Sequence, residues 1–234
     1  MKKLILILLC SPMIGFGQMN FKTYVPDDNF ETYLENNGMG DGVLLNDSIN
    51  TLSIEMLMYL DVSNQNIADL TGIEDFTVLS SLDCETNQLT SLDVSQNTYL
   101  TDLDCSENQI TSLDLSSNIA LVFLNGRGNQ LTSLDLRSGT NILITYNEFT
   151  ILNNPNLTCI SVDDVNYSTI NWTYIDAQHY FSTNCSGTLV QEHTINKELL
   201  KVIGLLGRET KGTKDEILFY IYDDGTVEKR IVIE

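Results

Sequence analysis

Leu100-Thr101-Asp102-Leu103-Asp104-Cys105-Ser106-Glu107-Asn108-Gln109-Ile110-Thr111-Ser112-Leu113-Asp114 is one copy of a pattern that returns every 21 residues. Leu82, Leu103 and Leu124 share one phase, Asn87, Asn108 and Asn129 another, and Leu92, Leu113 and Leu134 a third. A chain that repeats at this period is a stack of coils, which offers surfaces rather than one deep pocket. Within the copy, Leu103 and Cys105 alternate with Asp102, Asp104 and Ser106, so a short strand turns its apolar side inward. Ile110 and Leu113 return to the core. Asn108 sits where the chain leaves the strand, and a buried amide there can bond backbone groups of neighbouring coils. The same role is expected of Asn87, Asn129 and Asn147.

The consensus L-x-x-L-x-[LC]-x-x-N-x-[LI] resembles the leucine-rich repeat over residues 57–162. The first coil contains Leu57, Leu60 and Val62, reaches its Asn one residue late at Asn66 and runs on to Ile73. It resembles the internalin type of about 22 residues. The middle coils share the Thr-Ser-Leu-Asp form of many secreted bacterial repeats. Later coils are expected to shorten. Ile142, Ile144, Asn147 and Phe149 map onto Leu124, Gly126, Asn129 and Leu131 with a step of 18, and Leu157, Ile160 and Val162 read as a final strand. Asp93, Asp114, Asp135, Asn97 and Asn118 read as backbone caps on the return turns.

A stack needs covered ends. Pro26 to Leu34 has a capping Asp27, early acids and apolar residues at helical spacing, predicting a cap helix that runs to about Asn36 and breaks at Gly38–Gly42. Residues 163–183 carry Tyr167, Trp172, Tyr174, Tyr180 and Phe181 and read as a C-terminal cap with a short helix near 170–181. Lys2 and Lys3, the apolar run Leu4–Leu9, and Gly15 and Gly17 read as a secretory signal peptide cut after Gly17. That run is too short to span a bilayer, which takes about 20 apolar residues. Cys10 follows Leu9, where a lipoprotein signal wants Gly or Ala.

Four cysteines remain in the mature chain. Cys84 and Cys105 replace inward leucines of consecutive coils and read as small buried hydrophobes. Cys159 and Cys185 fall outside the repeat phase and are expected to form a disulfide that staples the end of the stack; two cysteines without histidine partners make a poor metal site.

The formal charge is −20, and −22 without Lys2 and Lys3. Residues 23–196 hold 24 acids against Arg127 and Arg137, whereas residues 197–234 hold eight acids against seven bases. The acidic body disfavours nucleic acid and anionic lipid as partners. In the tail, Leu199–Arg208 reads as strand and turn. Ile217–Tyr222, Asp223-Asp224-Gly225-Thr226 and Val227–Ile233 read as a β-hairpin. Leu205-Leu206-Gly207-Arg208-Glu209 and the Asp-Gly-Thr hairpin resemble the second half of the sorting domain of the type IX secretion system of the Bacteroidota. The leading Tyr-Pro-Asn-Pro strand of that family is absent. The resemblance implies export machinery as a partner of the tail. Asp47-Ser48-Ile49 also resembles the O-glycosylation acceptor of that phylum.

The expected architecture is an α/β-type solenoid, mostly β. It comprises a signal peptide (1–17), an N-terminal cap (18–56), repeats (57–162), a C-terminal cap and linker (163–190) and a β-rich tail (191–234). No catalytic or metal constellation is apparent: His179 and His193 read as surface residues, and no phosphate loop, zinc or EF-hand spacing occurs. No cofactor is implied. The suggestive feature is three outward columns on the strand face: Tyr59, Ser81, Asp102, Phe123; Asp61, Asp83, Asp104, Asn125; and Ser63, Glu85, Ser106, Arg127. Strands about 4.8 Å apart make stacked carboxylates repel and raise each other's pKa. A solvated acidic face, a protein or glycan partner, and bound Ca²⁺ all remain open, and the expected role is non-catalytic binding or adhesion at the cell surface or in secretion. A structural envelope component and a hydrolytic role are the alternatives.

Overall fold

The computed structural model describes residues 21–185 and three strands of the tail, and the chain divides into two units, Met1–Cys185 and Ser186–Glu234. The signal-peptide and lipoprotein readings, and that of His193, lie outside the described residues.

The first unit opens with strand β1 (Lys22–Tyr24), helix α1 (Asp28–Asn36) and strand β2 (Ser48–Asn50), with β1 and β2 antiparallel. Asp27 caps α1 through Oδ1, which accepts the Asn29 and Phe30 N–H groups at 3.0 Å; such a cap is worth about 1 kcal/mol. Its other oxygen accepts Ala68 N–H at 2.8 Å and so ties α1 to the first coil. Phe30 and Leu34 are buried, and Phe30 stacks on Phe76 with centroids 6.4 Å apart.

Strands β3 (Tyr59–Asp61), β4 (Ser81–Asp83), β5 (Asp102–Asp104), β7 (Phe123–Asn125) and β9 (Phe149–Thr150) form a parallel sheet in that order. Leu60, Leu82, Leu103, Leu124 and Phe149 lie side by side across it. The Thr-Ser-Leu-Asp segments build a second parallel sheet, in the order β11 (Tyr180–Ser182), β10 (Cys159–Ser161), β8 (Ser133–Asp135) and β6 (Ser112–Asp114). The aliphatic rungs of both sheets share one buried core. Asp93, Asp114 and Asp135 accept the N–H two residues on at 2.9–3.0 Å, as backbone caps of the return turn.

The amide ladder follows the sequence in its middle and departs from it at both ends. Asn87, Asn108 and Asn129 each donate to carbonyls of their own and the preceding coil and accept an N–H of the preceding coil. In the first coil the position belongs to Gln65 rather than Asn66: Gln65 and Ile67 N–H both reach Asn87 Oδ1. In the last coil it belongs to Asn154, which donates to Gly126 and Ile151 O and accepts Leu131 N–H at 3.2 Å. Asn147 is exposed. The final coil therefore lengthens to a step of 25, with Phe149 beside Leu124, instead of shortening to 18. The extra residues include a 3₁₀ turn at Asn141–Leu143. A shorter coil would have left Leu124 without the aromatic neighbour that now covers it. Gly126 makes room for this coil, since a Cβ there would sit 2.7 Å from Ile151 Cδ1.

Leu157, Ile160 and Val162 do end a strand register, but β10 joins the second sheet through Ile160 beside Leu134. The helix expected near 170–181 is α2 (Val165–Asn171), capped by Asp164, and 180–182 is strand. Trp172, at its C-terminal end, is 1 % exposed and stacks on Phe149. His179 is buried, not superficial: Nδ1 accepts Asp176 N–H and Nε2 meets Asn154 O, both at 3.2 Å.

Cys159 and Cys185 form a disulfide across 26 residues, whereas Cys84 and Cys105 are free and buried. Closing a loop of that length stabilises by about 3.5 kcal/mol in the chain-entropy model. Cys159→Ser with Cys185→Ser is therefore expected to lower the unfolding free energy by that much. A loss below about 1 kcal/mol in urea unfolding would show that β10 and β11 hold together without it.

In the second unit, strands β12 (Leu199–Gly204), β13 (Ile217–Tyr222) and β14 (Val227–Ile231) form an antiparallel sheet. The Asp223–Thr226 turn lies outside the described residues.

Candidate binding face of the first parallel sheet

The alternation that buries Leu60, Leu82, Leu103 and Leu124 turns the residues on either side outward. In-register pairing then aligns Tyr59, Ser81, Asp102 and Phe123 in one column, and Asp61, Asp83, Asp104 and Asn125 in the next. The second column continues to Thr150 and, through a parallel bridge, to Tyr174. The sequence reading placed Tyr174 in the C-terminal cap and not on this face, because it lies outside the repeat phase. Tyr59 is 72 % exposed at one end and Tyr174 43 % at the other, with Tyr146 packed at 5.8 Å from Tyr174.

The third column is interrupted. Ser63 and Glu85 are half-buried and Arg127 is exposed, but Ser106 is buried and donates to Asp104 Oδ1 at 2.6 Å. Asp104 also accepts Asn125 Nδ2 at 2.8 Å, so hydrogen bonds spread its charge. Arg127 lies 3.6 Å from Glu107, an exposed pair worth little. The face is thus acidic over the first three coils and loses that character at the fourth.

Asp83, Glu85 and Asp104 place carboxylate oxygens within 4.8 Å of one another. Burial, with Asp104 and Asp61 adding, holds the Asp83 carboxyl above the usual aspartate range, against the opposing Glu85 N–H bond. Burial, then Asp83 and Asp104, raises Glu85 likewise. A second trio, Asp28, Glu31 and Asp47, surrounds a buried Glu31 that is satisfied by Asn46 and Asp47 N–H groups and serves to pin a loop. Burial lifts the Cys84 thiol well above its ordinary value and that of Cys105 to about 12, so neither is a thiolate at neutral pH. Ser48 donates its hydroxyl to Asn46 Oδ1 in half-buried β2.

The raised Asp83 value has a definite sign. A carboxyl whose folded pKa exceeds its unfolded one favours the fold below the unfolded value and loses that contribution as pH rises through the folded one. Asp83→Asn is therefore expected to raise Tm at pH 7, with a gain that shrinks as pH falls into the carboxylate range. An equal gain at pH 3 and pH 7 would contradict the carboxylate crowding.

No family model matches the chain. A segment of 79 residues, 34% of the chain, is 39% identical to internalin J of Listeria monocytogenes serotype 4b (strain F2365) and covers 8% of that protein. The solved functional domain of Listeria monocytogenes internalin J, which includes a cysteine ladder, shows 26% identity over 70% of this chain and 47% of its own, with a TM-score of 0.40. Internalin C2 of strain 4b F2365 gives 16% identity, 60% and 68% coverage and a TM-score of 0.42. The chain spans only a small part of the curated relative and about half of the solved internalin J domain. It carries internalin-like leucine-rich repeats. Among the described residues no helix is long and apolar enough to cross a membrane.

Proposed function

We propose that the internalin-like repeats of this chain are a non-catalytic binding module, and that the outward face of β3, β4, β5, β7 and β9 docks a protein partner outside the cell. One observation carries this reading: in-register pairing brings Tyr59, Asp61, Ser81, Asp83, Asp102, Asp104, Phe123 and Asn125, from four coils, onto one open sheet, with Arg127 exposed two residues beyond Asn125. A stack of repeats presents an extended surface of the kind used for binding other macromolecules. Aromatic side chains among charges are what a protein interface uses, with aromatics as anchors and charges for steering. The acidic columns favour a segment bearing Lys or Arg. A glycan on this face has less support, since half-buried carboxylates would have to be desolvated against neutral hydroxyls.

On this reading α1 and the segment from Asp163 to Cys185 cover the two ends of the stack. Residues 1–17 direct export, and the tail engages type IX machinery of a Bacteroidota cell. The disulfide suits an oxidising compartment.

The test is capture of surface proteins by the mature chain, residues 18–234, and by its Asp83→Lys, Asp104→Lys variant. Capture is expected to weaken about tenfold on charge reversal, and to weaken with added salt in the unaltered protein. Unchanged capture removes the assignment. Loss of capture on adding EDTA would instead make Ca²⁺ at Asp83, Glu85 and Asp104 the bridge.

A further inference from the structure

A cleft of about 290 Å³ opens between α1 and the first coil, lined by Asn29, Thr32, Tyr33, Asn36, Asn37 and Gln65. We propose that this cleft binds an uncharged saccharide, at a site separate from the sheet face.

Composition is the first argument. The chain has a formal charge of −20, yet none of these six side chains is charged at neutral pH. Four are primary amides, one a hydroxyl and one a phenol. An anion would call for Arg or Lys, and a metal ion for carboxylates. Amides present a donor and an acceptor in one plane, which matches the paired hydroxyls of a sugar, each of which also donates and accepts.

Pre-organisation is the second. Asn29 Nδ2 donates to Asn66 O at 2.9 Å, Asn37 Nδ2 to Tyr33 O at 2.8 Å and Gln65 Nε2 to Ser63 O at 2.8 Å. Each bond fixes an amide by its nitrogen and leaves its oxygen without a partner among the described residues. The side chains of Thr32, Tyr33 and Asn36 make no hydrogen bond there. Groups already held in place lose little entropy on binding. The fold itself sets Gln65 here: it is the departure from Asn in the ladder, and its longer side chain turns toward the cleft instead of the core.

Tyr33 supplies the apolar surface. It packs against the hydrophobic core while remaining half-buried, so its ring is held and partly open to the C–H face of a sugar. Burial, with Asp61 adding, raises its pKa and keeps the phenol neutral. The same Asp61 charge disfavours an acidic sugar. The volume lies just below the usual range of about 300–1,000 Å³ for ligand clefts, which suits one sugar residue.

The experiment uses the mature chain and the methyl glycosides of glucose, galactose, mannose and N-acetylglucosamine, with methyl glucuronide as the acidic probe. Binding is read by saturation-transfer NMR and titration. At least one neutral glycoside should saturate with a millimolar Kd. Asn36→Ala with Gln65→Ala should weaken it about tenfold, and Tyr33→Phe should retain it. Asp83→Lys with Asp104→Lys should leave it unchanged, so failure here and failure of the sheet-face reading are distinguishable. The Asn36 side chain is exposed and makes no hydrogen bond among the described residues, so Asn36→Ala alone gives a folded variant if the double one is unstable, and it should also bind more weakly. Saturation by none of the neutral glycosides, undiminished binding in these variants, or a preference for the glucuronide would each overturn the proposal.

Discussion

Asn108→Ala is expected to lower unfolding free energy by about 4 kcal/mol, although it removes no apolar contact of any size. Its Nδ2 donates to Cys84 O at 3.0 Å, Cys105 O at 3.2 Å and Ser106 O at 3.1 Å, and its Oδ1 accepts Leu89 N–H at 3.0 Å. Asn108 is buried, so truncation strands backbone groups in two coils where water does not replace the amide. Each stranded group costs about 1–3 kcal/mol. The preceding residue, Glu107, is held at φ +53°, a conformation costing about 1–2 kcal/mol that the ladder bonds help to hold. Urea unfolding should show a lower midpoint with an unchanged slope. Asn147→Ala is the matched control: Asn147 is exposed, and its loss should stay within about 0.5 kcal/mol. Equal effects at the two sites would show that the ladder has been assigned to the wrong residue.

Trp172→Ala is expected to cost about 4 kcal/mol as well, by a different route. The indole stacks on Phe149 at 4.3 Å, meets Phe181 edge-on at 5.7 Å and donates Nε1–H to Ile144 O at 2.9 Å. Its removal opens a cavity between the two sheets at the end of the stack and orphans a buried carbonyl. Because coils contact only their neighbours, the damage should be graded along the chain. Hydrogen exchange should accelerate first in β9 and β10 and last in β3. Uniform acceleration would mean that the stack unfolds only as a whole.

The middle of the fold was legible because each coil repeats the same spacing, so one reading of Leu103, Cys105 and Asn108 serves its neighbours. The ends were not, for particular reasons. Asn147-Glu148-Phe149 imitates the Asn-x-Leu signature, whereas the true ladder residue stands in Asn154-Pro155-Asn156-Leu157, where one added residue breaks it. Gln65 was hidden because Asn66 stands beside it and Gln was not expected in the column. Helix α2 is built from Val, Asn, Tyr, Ser, Thr and Ile, none of which is a strong helix former. Its position is set by the Asp164 cap, 3.0 Å from Tyr167 N, and by burial of Trp172. The Thr-Ser-Leu-Asp strands of the second sheet were read only as return turns, since a three-residue strand such as Ser112–Asp114 has too little alternation to declare itself.

The site was half legible. The three columns follow from the period, but the burial of Ser106 and the continuation to Tyr174 depend on hydrogen bonds and on a coil of unequal length. The cleft at Tyr33 and Gln65 has no motif at all. Its residues come from a helix and a coil separated in sequence, brought together by the Asp27 and Asn29 contacts and by burial of Phe30 and Leu34 in the shared core.

The most direct test of this account is methyl and aromatic NOE spectroscopy on the labelled mature chain. The stack predicts an unbroken series of contacts, Leu60 to Leu82 to Leu103 to Leu124 to Phe149. A series that broke before Leu124, or that placed Ile142 instead of Phe149 against it, would contradict the register on which the sheet face depends.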